Sequence, residues 1–298
     1  MKKLFPILLA VLLLTACGKE EAEQTTVPTT ATPTTQTVTP ATEDTGPEGV
    51  LENKDTQTVY LLTRMSVLDD MGDESWYREY EYNDKGQKTE EFEYASTGDL
   101  SYRQVFTYDE AGLCTVTETH QMAPYDSSKL ASVLTINYTY DDRGRVILQE
   151  AYEEGVLVNY DEFTYDDHGN ILSQHNEFGE DQLDLTYEYT YDSQGNMLSC
   201  KEYQNGELMG TTEQTFDAEN RLATSAYFDA GGMLMNRSEY VWEETTETET
   251  HYDMDGNVIT SVVTTYDENG CITFQENQYS DGTVTMTEYF YEPFEIMK

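Results

Sequence analysis

From Val59 onward, polar residues alternate with aromatic or aliphatic ones in a period of two, the pattern of half-buried antiparallel strands. In the run from Thr186 to Tyr191, tyrosines occupy one face, and threonine or glutamate occupies the other. No stretch after Leu51 shows a convincing helical period with caps. About seventeen turns interrupt the alternation, so it predicts an all-β meander of roughly 16 to 18 antiparallel strands.

The predicted strands are joined by a recurring turn, in which an aromatic residue is followed by Asp, two variable residues and Gly. Asp favours the first position of a type I turn, and Gly favours the position where φ becomes positive. The unit therefore predicts a three-residue hairpin loop with a G1 bulge. The strong copies are Tyr108, Asp109 and Gly112; Tyr140, Asp141 and Gly144; Tyr165, Asp166 and Gly169; Tyr191, Asp192 and Gly195; Tyr252, Asp253 and Gly256; and Tyr266, Asp267 and Gly270.

This hairpin geometry places each motif aromatic residue opposite the second residue after the glycine. The predicted partners are mostly aliphatic: Cys114, Val146, Ile171, Met197, Leu222, Leu234, Val258 and Ile272. Strong turns alternate with weaker ones, so one repeat is one pair of strands, and the longer interval around Pro124 indicates an enlarged loop. Open twisted sheets rarely exceed about ten strands without curling. We therefore expect the array to curl into a shell, an open barrel or a coiled sheet that covers the tyrosine face.

The N-terminus has the features of an export signal. Two lysines precede an apolar run from Leu4 to Leu14, which is shorter than the roughly 20 residues of a membrane-spanning helix. The order Leu, Thr, Ala, Cys that ends at Cys17 resembles the lipobox of bacterial lipoproteins. The resemblance implies that residues 1–16 are removed and that Cys17 is acylated, as by palmitate, anchoring the protein to a bacterial membrane. The alternative is an ordinary cleaved signal with a chance cysteine.

The segment after Cys17 has the composition of a disordered tether. Residues 25–47 include 11 threonines and 4 prolines, without an aromatic residue or an apolar period. Such segments cannot bury enough surface to fold. We therefore divide the chain into a signal peptide (1–16), a lipidated tether (17–49) and a repeat domain (50–298), and expect it to lie outside the cytoplasm, in the cell envelope.

Net charge narrows the range of partners. The chain has 16 Lys and Arg residues against 58 Asp and Glu residues, a formal charge of -42. Nucleic-acid binding requires a basic surface that neutralises phosphates, so nucleic acid is not expected as a partner. The 24 tyrosines instead indicate a thin β protein lined with tyrosine.

The tandem unit from Tyr165 to Ile171, in which Tyr-Asp-x-x-Gly is followed by a polar and an aliphatic residue, resembles the YD repeats of the RHS (rearrangement hot spot) family. The resemblance covers about Tyr80 to Tyr291 and implies a spiralling β-shell in which the motif tyrosines, aspartates and glycines are structural. Carbohydrate binding has been ascribed to some members of that family. This chain lacks a recognisable autoproteolytic segment or toxin domain. The weaker turns, such as the one from Tyr203 to Leu208, also look like bacterial MORN-type hairpin repeats.

The sequence contains no strong catalytic or metal-binding pattern. Its four histidines have no zinc-ligand spacing, and we expect them at exposed polar positions. Acidic turns such as Asp253 to Asn257 could gather oxygen ligands, but the turn itself requires the aspartate, so we expect no cofactor beyond weak calcium association. Beyond Cys17, the three remaining cysteines could form one disulfide with one free thiol, or remain three structural thiols: Cys114, Cys200 and Cys271.

Trp76 and Trp242 are the best candidates for stacking on sugar rings, although packing would also explain them. Together these features predict a non-enzymatic envelope lipoprotein whose β-repeat surface binds a glycan or a protein. The alternative is a scaffold lipoprotein without a soluble ligand.

Overall fold

The computed structural model describes residues 56–123, 126–178 and 181–297. Over these residues the chain is an antiparallel β-barrel of eighteen strands. No helix in the described part is long and apolar enough to cross a membrane. The strands are β1 (Thr56–Leu68), β2 (Glu74–Tyr82), β3 (Lys88–Ala95), β4 (Leu100–Tyr108), β5 (Cys114–Ala123), β6 (Asp126–Tyr140), β7 (Val146–Glu153), β8 (Val156–Tyr165), β9 (Ile171–Phe178), β10 (Asp181–Tyr191), β11 (Met197–Gln204), β12 (Glu207–Phe216), β13 (Leu222–Asp229), β14 (Leu234–Trp242), β15 (Thr246–Asp253), β16 (Val258–Tyr266), β17 (Ile272–Tyr279) and β18 (Val284–Met297).

Every described strand pairs with the next strand in sequence, and β18 pairs back onto β1. The closing ladder runs from Leu68 opposite Met286 to Thr56 opposite Met297, with one bulge after Leu62. Closure leaves no strand edge with unpaired backbone groups, and it covers one face of the sheet. The all-β class, the strand number and the curled meander predicted above are confirmed. The signal peptide, Cys17 and the tether lie outside the described residues.

The hairpin predicted from the repeat is present in the structure. In the turn after β4, Gly112 N–H donates to the Asp109 carbonyl at 3.1 Å, and Asp109 N–H donates to the Leu113 carbonyl at 2.9 Å. Gly112 has a φ of 87°, which a residue with a Cβ adopts only with strain. Tyr108 lies opposite Cys114, and the corresponding pairs recur along the chain: Tyr140 and Val146, Tyr165 and Ile171, Tyr191 and Met197, Phe216 and Leu222, Phe228 and Leu234, Tyr252 and Val258, and Tyr266 and Ile272.

The turns form two rims, which differ in the face that the motif pair occupies. We call the rim with the turns after β2, β4 and the other even strands the even rim, and the opposite one the odd rim. At the even rim the motif aromatic points into the barrel. Its partners there include several of the most buried side chains: Cys114, Val146 and Leu222. At the odd rim, the register shift beside the turn and strand alternation together place the pair on the outer face, as for Tyr252 and Val258, and Val258 is 45% exposed.

Chirality accounts for this difference between the rims. A meander that always advances the same way round a barrel turns clockwise at one rim and anticlockwise at the other, seen from outside. A hairpin of one type has one hand, so its flanking pair must occupy opposite faces at the two rims.

The tyrosines on the two faces also differ in what shifts their pKa. Burial raises the pKa of inward Tyr187 to about 12, whereas the pKa of outward Tyr203 is raised first by its hydrogen bond to Glu188.

Motif hydroxyls link successive repeats at the even rim. Tyr108 donates to the carbonyl of Lys88 at 2.7 Å, and Lys88 is the second residue after the turn glycine of the preceding hairpin. Tyr140 and Tyr165 donate to the equivalent carbonyls of Cys114 and Val146. The hydroxyl therefore has a structural role that phenylalanine cannot fill, which explains why tyrosine predominates in the motif.

Candidate ligand site at the odd rim

A cavity of about 640 Å³ opens at the odd rim, between the β3–β4 turn and the ends of β5 and β6. Its volume falls within the range of small-molecule sites. Hydroxyl, amide and carboxylate groups dominate its lining, which consists of Ala95, Thr97, Asp99, Leu100, Ser101, Gln121, Met122, Ala123, Asp126 and Ser127. It adjoins the enlarged loop that the sequence predicts around Pro124, a residue outside the described part.

Trp76 lies beside this cavity. It is opposite Ala95 in the β2–β3 ladder, and Ala95 lines the cavity. Its ring is half-buried, and the Arg78 guanidinium lies 5.3 Å from the ring centroid. Within the described residues, no hydrogen-bond acceptor is found for its indole N–H, nor is this group among the buried polar atoms that lack a partner. Trp76 therefore offers an aromatic face with an N–H open to solvent.

Trp242, the second stacking candidate, lies at the even rim in a different role. Its indole N–H donates to the Leu222 carbonyl at 2.8 Å, as the motif tyrosines do to theirs. The Arg221 guanidinium lies 5.8 Å from the ring centroid. Trp242 thus takes the place of a motif tyrosine at a turn without glycine. Its indole N–H is already hydrogen-bonded to the backbone of the barrel.

A charged cluster forms the inner face next to Trp76. Arg78 contacts Glu91 at 3.3 Å and Glu93 at 3.0 Å, and Lys88 contacts Glu91 at 3.1 Å. Tyr102 donates a short hydrogen bond to Glu91, which is only 6% exposed. Burial opposes the charge of Arg78, but Tyr102, Glu91 and Glu93 outweigh it and hold the arginine pKa above its usual value. Two cations and two carboxylates thus neutralise each other on the inner face next to Trp76.

Two carboxylates reach the cavity itself. Asp99 accepts hydrogen bonds from Thr97 at 2.8 Å and Ser127 at 3.2 Å. Asp126 pairs with Lys129 at 2.7 Å, and the hydrogen bond from this lysine lowers the Asp126 pKa below its usual value. An acid held ionised in this way is a poor proton donor, so Asp126 is suited to accept hydrogen bonds rather than to act as a general acid.

The turn aspartates direct their carboxylates into their own loops. In the acidic turn considered for calcium, Asp253 Oδ1 accepts from the backbone N–H groups of Asp255 and Asn257, and Asp253 Oδ2 accepts from the Asn257 amide. Among the described residues, no group of three or more His, Cys, Asp or Glu side chains is placed to hold a metal ion. The carboxylates at these turns therefore stabilise hairpins.

Within the described residues, no disulfide joins the three cysteines beyond the tether. Cys114 is buried in its pair with Tyr108, and Cys200 and Cys271 are half-buried. Burial raises the pKa of the Cys200 thiol to about 11, so the unreactive thiol form predominates near neutral pH.

Sequence reasoning missed a cluster of Ser238, His251 and Glu249. Ser238 Oγ lies 2.8 Å from His251 Nδ1, and His251 Nε2 lies 3.4 Å from Glu249. These are the residue types of a hydrolytic triad, brought together because β14 and β15 pair at Ser238 and His251. Both strands are hydrogen-bonded on both sides, so their backbone N–H groups serve the ladders rather than an oxyanion. The cluster therefore lacks backbone N–H groups that could stabilise an oxyanion, which a hydrolytic site requires.

Comparison with known proteins gives similarity in parts of the chain. A family model described only as "Uncharacterised protein" matches residues 119–221, and no curated protein matches. The solved TcdB2-TccC3-TEV structure is 12% identical to this chain, with a TM-score of 0.34. The match covers 75% of this chain and 16% of that chain. A protein of unknown function from Bacteroides fragilis is 8% identical, with a TM-score of 0.23, and the match covers 47% of this chain and 91% of that chain. A porin-like protein from Bacteroides uniformis is 9% identical, with a TM-score of 0.27, and the match covers 78% of this chain and 98% of that chain. This chain spans about a sixth of the TcdB2-TccC3 chain, and at these TM-scores none of the structures informs function.

Proposed function

We propose that this protein is a non-enzymatic binding module of the bacterial cell envelope, and that it holds a glycan in the odd-rim cavity against Trp76. The observation that carries the proposal is the pairing of this half-buried tryptophan, whose indole N–H has no acceptor among the described residues, with Ala95 of a cavity lined by polar side chains. Sugar rings present apolar faces that stack on aromatic rings and hydroxyls that need hydrogen-bond partners.

The charged cluster favours a preformed site. Arg78 contacts two carboxylates and lies within 5.3 Å of the Trp76 ring centroid, so the arginine constrains the ring before a ligand arrives. A site whose side chains are already ordered loses less conformational entropy on binding. Tyr102, opposite Gln121 of the cavity, connects the cluster to the cavity lining.

The proposal is tested by measuring binding of the full-length protein, in detergent, to fractionated envelope glycans and neutral oligosaccharides. We expect saturable binding that Trp76→Ala weakens at least tenfold. Trp242→Phe is the matched control, because it removes an indole that the fold uses at the opposite rim, and it should leave the affinity unchanged. Equal losses in both variants, or no saturable glycan, would refute the proposal.

Attachment through Cys17 is part of the same proposal, supported by the lipobox resemblance and by the tether composition. Labelled palmitate should be incorporated into the native protein, and Cys17→Ala should abolish both labelling and membrane fractionation. Unchanged fractionation of Cys17→Ala would contradict lipid anchoring. The YD-repeat relationship also remains a proposal, supported by the motif and its spacing.

A protein partner is the second candidate, favoured by the outer surface of the even rim. Ile147, Leu172 and Leu198 recur there on every second strand, each 37–39% exposed. Such a row of aliphatic side chains is unusual on a solvated strand face. Replacing all three by threonine, which preserves strand propensity, would abolish retention of an envelope protein and leave glycan binding intact.

A further inference from the structure

The charges around the odd-rim cavity are predominantly negative. Of the described residues that line it, Asp99 and Asp126 are acidic and none is basic. Lys129 pairs with Asp126, and its side chain is 73% exposed. Arg78, on the inner face beyond Trp76, is bound by Glu91 and Glu93. An anionic ligand would therefore find no uncompensated cation in the cavity.

Asp99 differs from Asp126 in having no cationic partner. In the described part of the chain its carboxylate takes part in no salt bridge, and its two oxygens accept one hydrogen bond each, from Ser127 and Thr97. An ionised carboxylate has about four acceptor positions, so Asp99 retains acceptors as well as its charge. Asp126, by contrast, pairs with Lys129 and also accepts from the backbone and side chain of Ser128.

We infer that the cavity selects its glycan by charge, preferring sugars with a protonated amino group over their N-acetylated counterparts and excluding carboxylated or phosphorylated sugars. Asp99 is the residue that receives the ammonium group. This inference rests on the proposed glycan function and narrows its ligand class. The formal charge of -42 acts in the same direction, because it attracts cationic oligomers and repels polyanions before contact.

Three oligosaccharides of equal length separate these ligand chemistries: glucosamine, N-acetylglucosamine and galacturonic acid oligomers. Calorimetric titration of the full-length protein in detergent should give at least tenfold tighter binding of the glucosamine oligomer than of the N-acetylated one in low salt. The preference should shrink in 0.5 M salt because charge interactions are screened. The galacturonic acid oligomer should not bind.

A cationic oligomer could also associate with the acidic surface at large, and two variants address this. Asp99→Asn keeps the shape of the side chain and should reduce the amine preference below threefold. Asp167→Asn, at an exposed position of the even rim, removes the same charge and should retain the preference. An amine preference that survives Asp99→Asn would overturn the inference.

The remaining outcomes distinguish this inference from the proposed function. Equal affinity for the amino and N-acetylated oligomers, or binding of the acidic oligomer, would overturn the charge selection and leave Trp76-dependent glycan binding in place. Absence of binding by every oligosaccharide and every envelope glycan would overturn both.

Discussion

Replacing Tyr108 by phenylalanine removes one hydroxyl and leaves the ring in its pair with Cys114. The hydroxyl donates to the Lys88 carbonyl at 2.7 Å and connects two successive hairpins. A hydrogen bond of this kind contributes about 0.5–1.5 kcal/mol net. We expect Tyr108→Phe to lower the free energy of unfolding by about 1 kcal/mol. Tyr165 makes the equivalent bond two repeats further on, so the double variant should lose about 2 kcal/mol.

Urea unfolding followed by circular dichroism measures this loss, and the slope against denaturant should remain unchanged because the same surface is exposed. Tyr279→Phe is the matched control: this side chain is 43% exposed, and its hydroxyl has no hydrogen-bond partner among the described residues. The control should change stability by less than about 0.5 kcal/mol. If Tyr108→Phe were as neutral as Tyr279→Phe, the hydroxyl links would not hold the hairpins together.

Three further predictions concern the turns, the charges and the closure. Gly169→Ala, at a φ of 96° with open space around the position, should cost about 1–2 kcal/mol through backbone strain alone, whereas a loss below 0.3 kcal/mol in urea unfolding would argue against a strained turn. Hydrogen bonds from Asn196 lower the pKa of Asp192, so its stabilisation is present above the usual aspartate pKa of about 3.8 and is lost as pH falls through the lower folded value. Burial raises the pKa of Glu247, which destabilises the fold above its usual pKa of about 4.5, so unfolding measured from pH 7 down to 3 should show greatest stability at about pH 4, between the two usual values, and a monotonic rise toward pH 7 would contradict this. Truncation after residue 283 removes β18 and exposes the edges of β1 and β17, so light scattering should detect oligomers, and a monodisperse truncated monomer would count against the need for closure.

The candidate site was predictable only in part. Trp76 and Trp242 are indistinguishable as stacking candidates in sequence, because each is an aromatic residue near a turn. Their hydrogen bonds separate them: the Trp242 indole N–H reaches the Leu222 carbonyl, twenty residues away, through the contact between neighbouring hairpins. The cavity residue Asp99 gives no signal in sequence, since an aspartate after a turn glycine is common in hairpins.

The hairpins themselves follow from the sequence. Tyr108 lies opposite Cys114 because the intervening Asp and Gly set the turn and its bulge, an interaction that spans only six residues. Alternation then assigns each side chain to a face, and repetition of the unit determines the number of strands.

Closure of the barrel and the environments on its faces were decided by the tertiary structure. Leu68 pairs with Met286, over two hundred residues away, and this pairing depends on twist and strand tilt accumulated around the whole meander. The position of Tyr252 on the outer face depends on the rim at which its hairpin lies, although its local motif matches that of inward Tyr266. Short-range turn chemistry thus determined the repeat, while the handedness and closure of the sheet decided which copies face the interior and which strand ends form the cavity beside the Trp76–Ala95 pair.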